Sequence, residues 1–361
     1  MKIKIQQFLC FKLHSWAHCG ISLGKEFLKQ NHEVDFISTD GVKPQYTPEF
    51  IKPYLKEKPV GEYQIQLGYT ANKNWPYYFS HGKYNRFAIY AYDGTILPTQ
   101  WHGFSKYVDL ILPPSECAKK VFLDAKIPQE KLVVIPHGVD LEKFNIEPYQ
   151  LKTTKSIKIL NIFGQPHRRK NIDGILETYG QAFNKFDDVC LVLKVIKLQP
   201  KSAFEFNISD SITKWKSKYK NHAEIEVIYD YVPNIESLYL ACDIHFSLSN
   251  IEMFHLISLE AMAAGMVVIN SNWGGHTDFM NETNSLLVDG KLGRCPPNYQ
   301  YWTPSQKAEM FIPNIDDAIA KLKFAVVNCK ELKEKFKQPM QDTVQKYSWE
   351  NAAKQILNLC K

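Results

Sequence analysis

Short apolar runs alternate with helix-patterned segments twice along this 361-residue chain, on either side of a polar stretch with Pro, Lys and Thr at about 141–156. That repeated alternation admits few folds, because strand–helix–strand successions with short connections build a parallel sheet covered by helices. In the first array, 3–9 predicts a strand, 21–30 a helix and 34–37 the next strand. Residues 41–80 are rich in Pro, Lys and Tyr and predict irregular chain. Strands near 86–91, 108–112 and 131–135 follow, with a helix at 115–124. The second array opens with a strand at 157–163 and a helix at 171–186, whose Ile172, Ile175, Leu176, Tyr179, Phe183 and Phe186 recur at helical spacing. The near-continuous apolar run 189–196 predicts a strand covered on both faces. Strands near 225–229, 243–247, 267–270 and 285–288 are interleaved with helices at 234–241 and 256–264. The last helix, 349–360, starts after Ser348, a good N-cap residue. The expectation is an α/β protein of two doubly wound, Rossmann-like parallel-sheet domains, 1–150 and 151–345, facing a cleft.

Composition narrows the function classes. Apolar residues are 45% and charged residues 23%, which excludes a disordered chain. No apolar run reaches the roughly 20 residues of a membrane-spanning helix, and the basic start reads as a first strand rather than a signal peptide. The eight cysteines are scattered with no CxxC pair, so a reduced cytoplasmic setting is expected, without a structural zinc. The net charge of +6 is mild and evenly spread. It provides no stripe committed to nucleic acid, yet leaves room for weak peripheral contact with a membrane surface.

Two segments carry chemistry. In 247–265, Glu252 and Glu260 are separated by seven residues, the first ahead of a helix and the second within its first turns. Unpaired N–H groups at a helix start suit a phosphate, and a carboxylate just inside suits vicinal ribose hydroxyls. Two solvated surface glutamates are the plainer alternative. In 163–171, Arg168, Arg169 and Lys170 follow a strand, where cations can neutralise a diphosphate. A solvated basic loop is the plainer alternative there. His14 and His18 stand four apart but lack a third ligand, so no metal site is expected.

The pieces IPHGVDLEKF (135–144), GQPHRRKN (164–171), LYLACDIHFSLS (238–249), the E-x7-E stretch, GMVVINSNWGG (265–275) and YSWENAA (347–353) occur in that order. Together they resemble retaining nucleotide-sugar glycosyltransferases of family four, which have the GT-B fold. The resemblance covers about 105–290 and the C-terminal helix, and it is weak over 40–85. It implies that Arg169 and Lys170 hold the donor diphosphate, that Glu252 contacts the donor sugar, and that the amides of Phe254, His255 and Leu256 bind phosphate. It further implies that Glu260 binds the ribose, that Tyr231 and Val232 lie near the base, and that Gly20 lies in a loop near the phosphates. Asp93, His81 and His102 are expected on the acceptor side, with Trp75, Tyr77 and Tyr78 as an aromatic wall or an ordinary packing cluster. The helix 349–361 is expected to pack back on the first domain.

The implied activity is transfer of a hexose from a nucleotide sugar, a UDP- or GDP-sugar, to a carbohydrate or lipid-linked acceptor. The sugar nucleotide is a co-substrate, no cofactor is implied, and protein cations stand in for a metal. Such a reaction builds negative charge on the departing diphosphate, which preorganised cations and amides stabilise. A modified nucleic-acid base as acceptor, and a degenerate, non-catalytic GT-B binding protein, remain open. The chain departs from the family pattern at His255, where glycine is common, at Gly20, preceded by Cys19 rather than glycine, and at Gln165, where a basic residue is common.

Overall fold

A computed structural model of the chain describes residues 1–7, 15–39, 48–69, 74–79, 85–163, 167–195, 207–296 and 307–360. The chain divides into two compact units. One comprises Met1–Tyr92, Ile96–Asp140 and Lys346–Lys361, and the other Asp93–Thr95 and Leu141–Gln345. The division falls at Asp140 rather than at 150. The intervening segment is fastened to the second unit: the Tyr149 amide donates to the Ser237 carbonyl at 2.9 Å, and the amides of Lys152 and Thr153 donate to the Glu226 carboxylate.

In the first unit the elements run β1 (Lys2–Gln7), α1 (Ser15–Lys29), β2 (Glu33–Ser38), β3 (Leu55–Lys56), β4 (Ile65–Tyr69), α2 (Trp75–Tyr78), β5 (Arg86–Ile89), β6 (Leu110–Leu112) and α3 (Glu116–Asp124). All six strands pair in parallel, in the order β3-β2-β1-β4-β5-β6, with Ile5 of the central β1 in register with Phe36 and Leu67. This is the strand order of a doubly wound sheet. The second unit continues with β7 (Ile157–Phe163), α4 (Ile172–Ala182), β8 (Val189–Val195), α5 (Ile208–Lys218), β9 (Glu224–Ile228), α6 (Glu236–Leu240), β10 (Ile244–Phe246), α7 (Leu256–Ala263), β11 (Val267–Ser271) and β12 (Leu286–Val288). Its parallel sheet runs β12-β11-β10-β7-β8-β9, the same order repeated. An antiparallel pair, β13 (Gly290–Arg294) and β14 (Glu309–Pro313), and the helices α8 (Ile315–Val327) and α9 (Cys329–Lys346) follow. Finally α10 (Trp349–Asn358) belongs to the first unit. The α/β expectation of two parallel sheets is borne out.

All seven residues of β8 are buried, as the near-continuous apolar run predicts, Lys194 among them. Each fully buried Val or Leu there contributes roughly 1.5–3 kcal/mol relative to exposure. The helix α10 packs on α1, and the Val139 amide donates to the Tyr347 carbonyl at 3.0 Å. The His137 ring lies 5.8 Å from that of Trp349.

Several local expectations are corrected. The first helix begins at Ser15, not at 21, and Gly20 lies inside it rather than in a loop. A Cβ on Gly20 would meet Gln7 Oε1 at 1.7 Å, and one on Gly24 would meet Phe36 Cζ at 2.2 Å. These glycines are close-approach positions of a helix on a sheet, and a local reading takes Gly20 for a loop residue. The stretch 41–80 contains β3, β4 and α2. Residues 131–135 form only an isolated bridge, Leu132 to Ile111, and the helix predicted to 186 ends at Ala182. Nothing in the local pattern had pointed to α5, the β13–β14 pair, α8 or α9. His14, His81 and Gln165 lie outside the described residues.

Candidate functional site

Arg169 and Lys170 sit in a single 3-10 turn, Arg168–Lys170, between the end of β7 and the start of α4. The turn is stopped by Asn171, held in the left-handed region at φ 54°, which Asn tolerates better than most residues. Its side chain works in both directions. Oδ1 accepts from the Gly174 amide and caps α4, while Nδ2 donates to the Leu248 carbonyl at 2.9 Å. The Asn250 amide donates to the Arg169 carbonyl at 2.8 Å. The turn after β7 and the loop after β10 are thereby stitched together, although some 80 residues separate them along the chain.

Glu252 is carried on that second loop and is only 5% exposed. Its backbone is pinned too: the Gly275 amide donates to the Glu252 carbonyl at 2.8 Å. Gly274, at φ 122°, permits this approach, since a Cβ there would stand 2.6 Å from that carbonyl oxygen. One carboxylate oxygen, Glu252 Oε1, accepts from Arg169 Nη1 at 2.8 Å and from Lys170 Nζ. Arg169 Nη1 also donates to the Ile251 carbonyl at 2.9 Å, and Nη2 pairs with Asp93 Oδ2 at 2.8 Å. Four charged groups thus form one largely buried cluster, with the Arg169 and Lys170 side chains only 13% and 14% exposed.

The electrostatics follow from burial and pairing. Burial alone would raise Glu252, but Lys170 and Arg169 outweigh it and hold the carboxyl well below the usual carboxylate range. Burial pulls the Lys170 ammonium below its ordinary value, with Glu252 opposing and Arg169 adding to the shift. The Arg169 guanidinium resists the same burial because Asp93 and Glu252 flank it, and it stays charged.

A second carboxylate stands apart. Glu260, in α7, accepts at Oε2 from the Tyr239 hydroxyl at 2.5 Å. Burial and the nearby Glu236 raise its carboxyl to about 7, although Tyr239 and Lys143 oppose the shift. The folded state therefore keeps a proton that the unfolded state releases near 4.5, and stability is lost as pH rises between those values. Glu260→Gln is expected to remove that decline and to stabilise the ligand-free protein at pH 8 by on the order of 2 kcal/mol. Urea unfolding at pH 5 and pH 8 checks it; parallel pH dependences in wild type and variant would dismiss the shift.

The remaining predicted residues are dispersed. Val232 is buried and Tyr231 exposed in the turn between β9 and α6, and Phe254 packs on Phe279 with ring centroids 5.3 Å apart. His255, at φ 72°, caps the start of α7 and precedes Leu256. Among the described residues, no protein group accepts from the amides of Leu256 and Ile257, the first two of that helix. Asp93, expected on the acceptor side, clusters with the second unit and is engaged by Arg169. Gly20 and His102 belong to the first unit; His102 Nε2 lies 3.2 Å from the Leu97 carbonyl oxygen. Sequence reasoning gave no role to Asn171, Tyr239 or Asn250. An Asn just before a helix is a cap signal and could have marked Asn171. Tyr239 and Asn250 meet partners 21 and 61 residues away, which leaves no local trace. Among the described residues, no group of three or more His, Cys, Asp or Glu side chains could hold a metal ion.

Residues 147–292 match the family model described as Glycosyl transferases group 1. That span contains Arg169, Lys170, Glu252 and Glu260. The matched span lies within the second unit. The chain is 26% identical over 291 residues to alpha-monoglucosyldiacylglycerol synthase of Streptococcus pneumoniae, an alignment covering 74% of this chain and 58% of that protein. The chain thus spans little more than half the length of that relative. Two solved structures resemble the whole chain. One is Anabaena HepE in complex with UDP and glucose, with a TM-score of 0.70, 13% identity, and 99% and 98% of the two chains covered. The other is sucrose-phosphate synthase from Thermosynechococcus elongatus, with a TM-score of 0.71, 14% identity and the same coverages. At such identities the likeness concerns the fold. The fold is accordingly GT-B, with a parallel six-stranded sheet in each unit. No described helix is long and apolar enough to cross a membrane.

Proposed function

We propose that the chain is a retaining glycosyltransferase of family four, moving a hexose from a nucleotide diphosphate sugar to a carbohydrate or lipid-linked acceptor. The observation that carries this reading is the convergence of Arg169 and Lys170 on one oxygen of Glu252, beside the start of α7. Two cations held in a dry site and two helix-start amides form a receptor for a diphosphate. Arg169 and Lys170 bind the two phosphates, and the Leu256 and Ile257 amides take further phosphate oxygens. Glu252, freed from part of its cation contacts, accepts from a hydroxyl of the donor sugar. Glu260 accepts from the ribose hydroxyls, and Tyr231 and Val232 flank the base.

As the bond between the anomeric carbon and the phosphate oxygen breaks, positive charge grows on the sugar and negative charge on the diphosphate. Arg169 and Lys170 are already charged and oriented, so the leaving group is stabilised without reorganisation. The acceptor hydroxyl attacks from the departing face, and the leaving phosphate takes its proton, which retains the configuration. In this reading the protein cations do the neutralising that a divalent metal does elsewhere. The printed names of the relatives lend support: a glucosyldiacylglycerol synthase, a sucrose-phosphate synthase, and HepE with UDP and glucose. They favour a UDP-sugar donor and a sugar or lipid acceptor. A cytoplasmic protein, peripheral at a membrane when its acceptor is lipid-linked, suits that chemistry.

A thermal-shift screen with UDP-, GDP-, ADP- and CDP-sugars tests the reading. One nucleotide class is expected to raise the melting temperature by several degrees, since saturation at 100 times Kd adds about 2.7 kcal/mol. No shift with any of the four, in protein that melts cooperatively, would overturn it.

A further inference from the structure

His255 does more than supply a backbone position at the head of α7. Its Nδ1 lies 3.2 Å from the Ser258 amide. An amide can only donate, so Nδ1 is the acceptor and the ring proton sits on Nε2. Nε2–H then donates to Ser247 Oγ at 3.3 Å, just beyond the end of β10. Ser258 Oγ donates to the same Nδ1 at 2.8 Å and accepts from Asn270 Nδ2 at 3.1 Å, within β11. The imidazole therefore ties the first turn of α7 to the ends of two neighbouring strands. His245, His255 and His276 lie together, with ring centroids 5.7 and 5.6 Å apart, and burial pushes all three below the ordinary histidine range. The ring is neutral, as its accepting Nδ1 requires.

We propose that the His255 side chain is a positioning residue that caps α7 and holds the Leu256 and Ile257 amides ready for a diphosphate. This rests on the reading that those amides receive phosphate. An uncapped first turn frays, and ordering it again upon binding weakens affinity for the anion but not for the nucleoside. The backbone at φ 72° separates the side chain's contribution from the conformation it occupies. Glycine accepts that conformation but has no side-chain acceptor; asparagine accepts it and is a strong cap.

The experiment is isothermal titration of UDP, inorganic pyrophosphate and uridine into wild type, His255→Gly and His255→Asn. His255→Gly is expected to bind UDP and pyrophosphate roughly two- to threefold more weakly, with uridine unchanged, the effect of replacing a cap side chain by glycine. His255→Asn is expected to match wild type, since Asn is among the strongest caps. Should His255→Gly not fold, Ser247→Ala loosens the same ring and is expected to weaken pyrophosphate about two- to threefold, as one neutral hydrogen bond would. Wild-type affinity in His255→Gly, or equal losses in the Gly and Asn variants, would overturn the proposal while leaving the nucleotide-sugar reading intact. If wild type binds pyrophosphate but no nucleotide, that reading falls and the pyrophosphate series alone decides the capping role. If wild type binds neither, both fall.

Discussion

Lys170→Ala is expected to lower kcat for sugar transfer by about 10²–10³-fold, with a much smaller rise in KM for the donor. The reason is the timing of charge. On the proposed reading, the diphosphate of the bound donor is neutralised by several groups together, and the loss of one would be shared among Arg169 and the α7 amides. As the glycosidic bond lengthens, charge accumulates on the leaving oxygen, and a buried ammonium close to it counts for most. Folding is expected to survive, because Glu252 keeps Arg169 as a partner at 2.8 Å and Asp93 keeps it from the other side. Lys170→Arg restores the charge on a longer, planar group and is expected to recover only part of the rate. Steady-state kinetics with the donor found in the thermal-shift screen decides it. A kcat within threefold of wild type in Lys170→Ala would remove Lys170 from the leaving-group role.

Glu252→Gln is expected to cost the ligand-free protein about 3 kcal/mol or more, since it leaves buried cations without their shared carboxylate. Lys170 loses its direct anionic partner, and Arg169 retains only Asp93. The same vacancy of charge makes the variant more receptive to anions. Millimolar pyrophosphate is therefore expected to raise its melting temperature by more than it raises that of wild type. The two halves of the prediction separate a structural ion pair from a ligand receptor. A purely structural pair gives the destabilisation without the enhanced response to pyrophosphate. Equal melting temperatures and equal responses in both proteins would remove the cluster from any anion-binding role.

The fold was largely legible because parallel sheets write themselves into sequence. A strand covered on both faces is nearly continuously apolar, as β8 is apart from Lys194, and the helices between such strands keep one apolar stripe. Legibility failed where tertiary contact replaced local pattern. Gly20 and Gly24 in α1 punctuate the sequence as a turn would, yet their function is to let a helix settle on Gln7 and Phe36. In β4, Gln66 and Gly68 break the apolar run, although every residue of the strand is buried. The last strand pair and its two following helices have no counterpart among the predicted elements.

The site was legible in its residue types and opaque in its connections. Arg169 and Lys170 stand in a conspicuous basic run, and Glu252 and Glu260 frame a helix start, so each invites a phosphate or ribose role. Nothing local says that both cations meet one carboxylate oxygen, or that Asp93 closes on the far side of Arg169. His255 reads as a departure from the family pattern, and only the structure turns that departure into a cap joined to Ser247 and Ser258.

The chain's own order of residues determined that it would form two doubly wound parallel sheets, because hydrophobic periodicity is a local property that survives without any knowledge of partners. Only the tertiary structure decided which charges are buried together, which proton Glu260 keeps and which nitrogen of His255 carries hydrogen. Those properties depend on distances between segments far apart along the chain and on how completely water is removed from between them.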